Sequence, residues 1–177
     1  MTTENLDFQY DGLPIGVEGV PETPAAWYYN NDQATYGVNG NKYGLLYNGY
    51  AAYYMYSHAT ELFPDGWNLL GDNGFYNFLM NTGIGYNGGT ALKSTTGWND
   101  NGNGDNSSGF NAKPAGYRGT NGIFYSVGYT AYIAQGQNQS YQYNDTNLHL
   151  DSSNNTSSPY SDAPRNGASV RLFKIIS

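Results

Sequence analysis

The sequence predicts an α+β fold: two short helices early, then a small twisted antiparallel sheet with long Gly/Asn/Tyr-rich loops. Three observations carry that prediction. Helical patterning is confined to Tyr50–Ala59 and to the stretch "GDNGFYNFLMNTG". Residues 85–168 are rich in Gly, Asn and Ser, with only short alternating pieces. The chain closes on "SVRLFKII", where Val170, Leu172 and Ile175 fit a buried strand. With 177 residues the chain is read as one domain over residues 25–177, preceded by an extended acidic segment over residues 1–24.

That leading segment carries five acids (Glu4, Asp7, Asp11, Glu18, Glu22) and no base, punctuated by Pro14, Pro21 and Pro24. It reads as irregular, with one short strand near Leu6–Tyr10, and serves either as a docking arm or as a covering strand. Trp27–Tyr29 and Tyr43–Tyr47 read as strands around an Asn39-Gly40 turn. The first helix lacks Gly and Pro and ends before Pro64. The second takes Asp72 or Asn73 as N-cap and buries Phe75, Phe78 and Leu79 by their i, i+3, i+4 spacing. Gly83 closes it in the left-handed conformation. Beyond it, "IFYSVGY" and "SYQYNDTNLHL" alternate with period two, at Tyr141/Tyr143 and Leu148/Leu150.

Composition narrows the function classes. Charged residues are 12% of the chain, about half the usual share, against 19 Tyr, 7 Phe, 3 Trp and 24 Gly. Low charge with abundant aromatics argues for a compact, loop-rich fold rather than disorder. Tyr, Asn, Ser and Gly are also the residues of adaptable binding surfaces. The net charge of −7 and the scattered basic residues argue against nucleic acid. There is no Cys, so thiol chemistry and disulfides are excluded. "MTTENLDFQYDG" shows neither the basic nor the apolar region of a signal peptide, and no apolar run approaches the length needed to span a bilayer.

Several blocks occur in a recognisable order. They are "ENL" at Glu4–Leu6, "YGLLYNGYAA" at Tyr43–Ala52 and "PDGWNLLGDNGFYNFL" at Pro64–Leu79. "GTALKSTTGWNDNGNG" at Gly89–Gly104, "GFNAKPAGYR" at Gly109–Arg118 and "GASVRLFK" at Gly167–Lys174 follow. Together they resemble the Fibrobacter succinogenes major paralogous domain over almost the whole chain. The resemblance implies a C-type-lectin-like fold, related to formylglycine-generating-enzyme-like proteins and to targets of diversity-generating retroelements. Residues 25–177 would then be a C-type-lectin-like domain whose variable ligand surface spans about Tyr129–Asn166. The chain departs from the family pattern in three places. Leu62-Phe63 and Leu172-Phe173 stand where the family carries Cys. "YTAYIAQ", Tyr129–Gln135, replaces a Trp-Trp-Ser-like segment. The strand ahead of "ENL" is missing, so the closing strand is expected to pair with Leu6–Tyr10 or with another chain.

Within that surface, Tyr129, Tyr132, Gln135, Asn138, Tyr141, Tyr143, Asn144, Asn147 and Tyr160 combine stacking planes with amide groups, the pairing a sugar or a protein surface requires. The alternative is that these Tyr pack the sheet. "GWNDNGNGDNSSGF", Gly97–Phe110, is open to two readings. Asn99, Asp100, Asn101, Asn103 and Asp105 echo the first positions of a calcium loop, but no later acid supplies the bidentate ligand. The other reading is an Asx-stabilised turn anchored by Trp98. His58 at a helix end and His149 on a strand do not assemble a catalytic metal site. No nucleophile elbow, phosphate loop or dinucleotide fingerprint occurs, so no enzyme is expected. Arg165, Arg171 and Lys174 oppose the acidic N-terminal segment.

The expectation is therefore a non-catalytic binding protein without a cofactor other than calcium. It is expected to act in a phage virion, as a capsid decoration, head fibre or tail-associated adhesin that contacts other subunits and a host-surface glycan or protein. No nucleic-acid partner and no membrane insertion are expected. A homo-oligomer, such as a trimer, follows from the missing first strand. The alternatives are a purely structural virion subunit and a bacterial secreted or surface adhesin.

Overall fold

The computed structural model describes residues 1, 4–19, 21–37, 40, 43–136, 146–161 and 163–174. It is a mixed helical and sheet structure in which short helices precede most of the strands. In chain order the elements are β1 (Ala26–Trp27), a 3-10 turn (Tyr29–Asn31), α1 (Gln33–Tyr36), β2 (Leu46–Asn48), α2 (Gly49–Ser57), α3 (Ala59–Leu62), β3 (Trp67–Asn68), α4 (Gly74–Asn81) and α5 (Gly89–Leu92). Then come β4 (Tyr117–Arg118), β5 (Phe124–Tyr125), β6 (Thr130–Ala134), β7 (Thr146–Asp151), β8 (Ser157–Ser161), β9 (Gly167–Val170) and β10 (Phe173–Lys174). No helix among the described residues is long and apolar enough to cross a membrane.

The two expected helices are present as α2 and α4, joined by three single-turn helices that the sequence reading did not separate. Asn48 caps α2: its Oδ1 accepts from Ala51 N at 2.9 Å and from Ala25 N at 3.1 Å. His58 closes α2, its backbone N–H bonded to Tyr54 O and its ring stacked on Tyr54 at 4.1 Å. The expected side-chain cap of α4 is corrected. Asn73 is left-handed at the N-cap position and makes no side-chain capping bond. The open Phe75 N–H is taken instead by Gln135 Oε1 at 3.1 Å, which satisfies one of the orphan donors of a helix start. Gly83 closes the helix at φ +73, as its lack of Cβ permits.

The main sheet runs β1-β2-β9-β6-β7-β8, with the β4–β5 hairpin attached to β9. It is not wholly antiparallel, as the sequence predicted. β6 and β9 are parallel, with Ile133 opposite Ser169 and Ala134 opposite Val170. The closing segment also divides: β9 joins the sheet, while β10 pairs with β3 through Phe173↔Asn68 and Lys174↔Trp67. Leu6 bridges β9 and β2, donating to Val170 O at 2.9 Å and accepting from Leu45 N at 3.1 Å. Leu6, Phe8, Tyr10, Leu13 and Ile15 pack on the core around Tyr47 and Met55. Residues 4–15 thus cover the sheet and complete its first core.

A second core lies on the other side of β6 and β7. There Ile133, Leu148 and Leu150 meet Phe75, Leu79, Leu92, Trp98, Phe110 and Phe173. Since side chains alternate along a strand, burying Ala131, Ile133, Leu148 and Leu150 turns Tyr132 and His149 to the opposite face. That alternation builds the candidate site.

Candidate binding face

Five rings meet on the face of β4–β8 opposite the second core, where Tyr132 also packs against the edge of the first. Tyr132 and His149 are direct cross-strand partners and stack at 4.5 Å. Tyr117 and Tyr125 are partners in the β4–β5 hairpin and stack at 5.3 Å. Tyr132 joins the two pairs, meeting Tyr117 edge-on at 5.0 Å. Tyr160 on β8 closes the array, 5.5 Å from Tyr132 and 5.9 Å from His149. Such pairs each contribute about 0.5–1.5 kcal/mol beyond their area, so the half-buried Tyr117, Tyr132 and His149 also stabilise the sheet. Tyr160 is 46% exposed and presents the open ring of the array.

The electrostatics of the face are mild. Burial pushes the His149 imidazole below its ordinary pKa, partly opposed by the Asp151 carboxylate. Asp151 is itself drawn below the usual range despite its burial, by hydrogen bonds from Ser153 and by the charges of His149 and Lys93. Two buried atoms here, His149 Nε2 and Thr130 Oγ1, have no hydrogen-bond partner.

The expected site residues distribute unevenly. Tyr132 and Tyr160 enter the array. Asn147 is opposite Tyr160 in register and buried. Tyr129 is 44% exposed at the start of β6, where its carbonyl accepts from Ser152 N at 2.8 Å. Gln135 is buried and engaged in capping α4, so it stands apart from the array. Asn138, Tyr141, Tyr143 and Asn144 lie outside the described residues. Tyr117, Tyr125 and His149 were not placed in the site by sequence. The period-two pattern that turns His149 away from Leu148 and Leu150 was the one available signal.

The loop "GWNDNGNGDNSSGF" has the geometry of an anchored turn. Trp98 is buried, and its Nε1 donates to Ala112 O at 3.1 Å. Asn103 Oδ1 accepts from Trp98 N at 3.1 Å, and Asp105 Oδ1 from Ser107 N at 2.9 Å. The hydrogen bonds from the Ser107 backbone and side chain hold the Asp105 carboxyl below its ordinary pKa. Asp100 and Asn101 take left-handed backbone angles, and the Asn99 amide donates to Gly128 O at 2.7 Å. Two candidate calcium ligands thus already hold backbone amides. Among the described residues, no group of three or more His, Asp or Glu side chains gathers where a metal would sit.

The α5 segment ahead of the loop is fastened to the β7–β8 turn. Lys93 Nζ donates to Asp151 O at 3.1 Å and Asn154 O at 3.0 Å, and lies 5.3 Å from the Trp98 ring centre. Asn155 Oδ1 accepts from the amide and hydroxyl of Thr90. On the far side of the sheet, Arg118 is buried over Trp27 at 4.1 Å, a cation–π contact that sequence reading missed. Of the C-terminal bases, Arg165 meets Glu22 at 3.2 Å with both side chains exposed, a pair worth about 0–1 kcal/mol.

The sequence model of the Fibrobacter succinogenes major domain matches residues 2–174. The chain belongs to that family. Its match spans the covering N-terminal segment, both cores and all five rings. No curated protein and no solved structure matches this Fibrobacter succinogenes major domain chain.

Proposed function

We propose that this chain is a non-catalytic binding domain of C-type-lectin-like architecture, which receives a host-surface glycan or protein on the ring-bearing face of β4–β8. The five-ring array is the observation that carries the reading. It offers an exposed aromatic plane at Tyr160 and a partly exposed one at Tyr125, on a sheet held rigid by two cores. Asn147 and Ser158 share the face in register with Tyr160 and His149. Aromatic planes beside amides and hydroxyls suit both sugars and protein surfaces.

The test compares the wild-type chain with Tyr125→Ala/Tyr160→Ala on a glycan array and in capture of host envelope proteins. The double variant loses capture. Retention of full capture would contradict the role of this face. The setting we propose is a virion, where the same face meets the host. Finding the chain by mass spectrometry in purified particles supports that setting, and finding it only in bacterial envelope fractions favours a bacterial adhesin.

A further inference from the structure

Thr130 Oγ1 and His149 Nε2 are buried side-chain atoms on the binding face without a hydrogen-bond partner. The register makes them neighbours. Thr130 lies opposite Asp151 and Tyr132 opposite His149. Thr130 and His149 are therefore diagonal positions on adjacent strands, about 7 Å apart. Both alternate with core residues, so both share the face of Tyr132. Thr130 is only 8% exposed.

Buried polar groups are almost always paired, because leaving one unpaired destabilises the fold. Two unpaired groups on one patch, beside the exposed ring of an aromatic array, call for an external partner. Their chemistry narrows what that partner is. A hydroxyl both donates and accepts, and a neutral imidazole presents one donor and one acceptor nitrogen. Burial keeps His149 on the neutral side at physiological pH. The adjacent Asp151 carboxylate and the chain's net charge of −7 disfavour an anion. What fits is an uncharged molecule with neighbouring hydroxyls and a C–H face that can lie on an aromatic ring.

Resting on the binding role of this face, we propose that Thr130 Oγ1 and His149 Nε2 read adjacent hydroxyls of a neutral saccharide whose ring stacks on Tyr160. Tyr160, 5.9 Å from His149 and the most exposed ring of the array, supplies the stacking plane beside the two atoms. An ordered structural water satisfying the same two atoms is the competing explanation, and it makes the opposite stability prediction.

The experiment titrates cellotetraose, maltotetraose, chitotetraose and mannotetraose against the intact chain by calorimetry, with melting curves in parallel. Wild type binds at least one of them. Thr130→Val and His149→Phe each weaken that affinity by about three- to tenfold, while the melting midpoint stays level or rises because an unpaired group has been removed. Thr130→Ser keeps the hydroxyl and the affinity. Three results overturn the inference: no oligosaccharide binds wild type, Thr130→Ser binds as poorly as Thr130→Val, or Thr130→Val lowers the midpoint with affinity intact. The last outcome assigns the two atoms to a structural water. If no oligosaccharide binds yet Tyr125→Ala/Tyr160→Ala still abolishes capture of a host protein, the saccharide inference fails and the binding face stands. If that double variant changes nothing, the face itself fails.

Discussion

The Arg171 guanidinium is held by the Asn5 carboxamide, with Nε and Nη2 donating to the same Oδ1 at 3.1 and 2.9 Å. Arg171 also donates to the carbonyls of Phe110 and Asn111 and lies 4.8 Å from the Phe110 ring centre. Asn5 Nδ2 donates to Tyr43 O at 2.9 Å and Ser169 Oγ at 3.0 Å. One buried arginine thereby ties the N-terminal segment and the closing strand to the end of the Gly97–Phe110 loop. Burial pushes its pKa down to about 9, still above neutrality, so it remains a cation at pH 7.

Removing the Asn5 acceptor leaves that cation under-bonded in the interior. Asn5→Ala is expected to cost about 1.5–3 kcal/mol in denaturant unfolding, the range for hydrogen bonds to a charged group. A loss below about 0.5 kcal/mol, the scale of an ordinary surface change, contradicts the anchoring role.

Gly102 sits against the β7–β8 turn. A Cβ there would lie 2.5 Å from Ser152 O and 2.6 Å from Ser152 Cα. Backbone cannot yield cheaply, so Gly102→Ala should lower stability by about 1–3 kcal/mol. Thermal unfolding checks this, and an unchanged midpoint shows that the loop and turn are not interlocked.

Chelation tests the remaining reading of the same loop. Asn103 and Asp105 already hold backbone amides. A melt in excess EDTA is therefore expected to keep the midpoint of a melt in calcium. A calcium-dependent rise identifies Asn99, Asp100, Asn101, Asn103 and Asp105 as ligands after all.

His149 gives the fold a pH dependence of definite sign. Its folded pKa lies below its unfolded value, so the native state favours the neutral ring. That contribution is fully present above the unfolded pKa of about 6.5 and is lost as pH falls through the lower folded value. Asp105 and Asp151, both depressed, act with the same sign but only below about pH 4. His149→Phe is expected to flatten the stability profile just below pH 6.5 and to leave the more acidic limb intact. An unchanged profile contradicts the burial of a neutral ring.

The outer edge of β8 is blunted against strand addition. Ser157 N donates outward to Tyr86 O at 2.7 Å, and Pro159, two residues on, has no N–H to offer. Pro159→Thr restores an outward donor and is expected to increase self-association in size-exclusion chromatography. A variant that remains as dispersed as wild type shows the edge is protected by other means.

The helices α2 and α4 were legible from local signals: a run without Gly or Pro for α2, and apolar periodicity with a closing glycine for α4. α1, α3 and α5 are single turns, too short to show a period. The parallel pairing of Ile133 with Ser169 was hidden because strand order is set by non-local pairing, which leaves no local mark. The place of Gln135 was hidden for a related reason: its amide reaches a helix start sixty residues earlier in the chain, at Phe75. Tyr132 and Tyr160, singled out as aromatic residues within the region that the family resemblance implied, lie in the array. Tyr117, Tyr125 and His149 required the register of three strand pairs to bring them together. The anchoring of Trp98 was readable, since an Asx-rich turn behind a single Trp has a local explanation.

The most direct test of the account is amide NMR mapping of the intact chain on addition of whichever glycan or host protein it captures. The account predicts shift changes centred on Tyr117, Tyr125, Tyr132, His149 and Tyr160. Changes centred instead on Asn99–Asp105, or on the exposed Tyr76 and Met80 of α4, would contradict it.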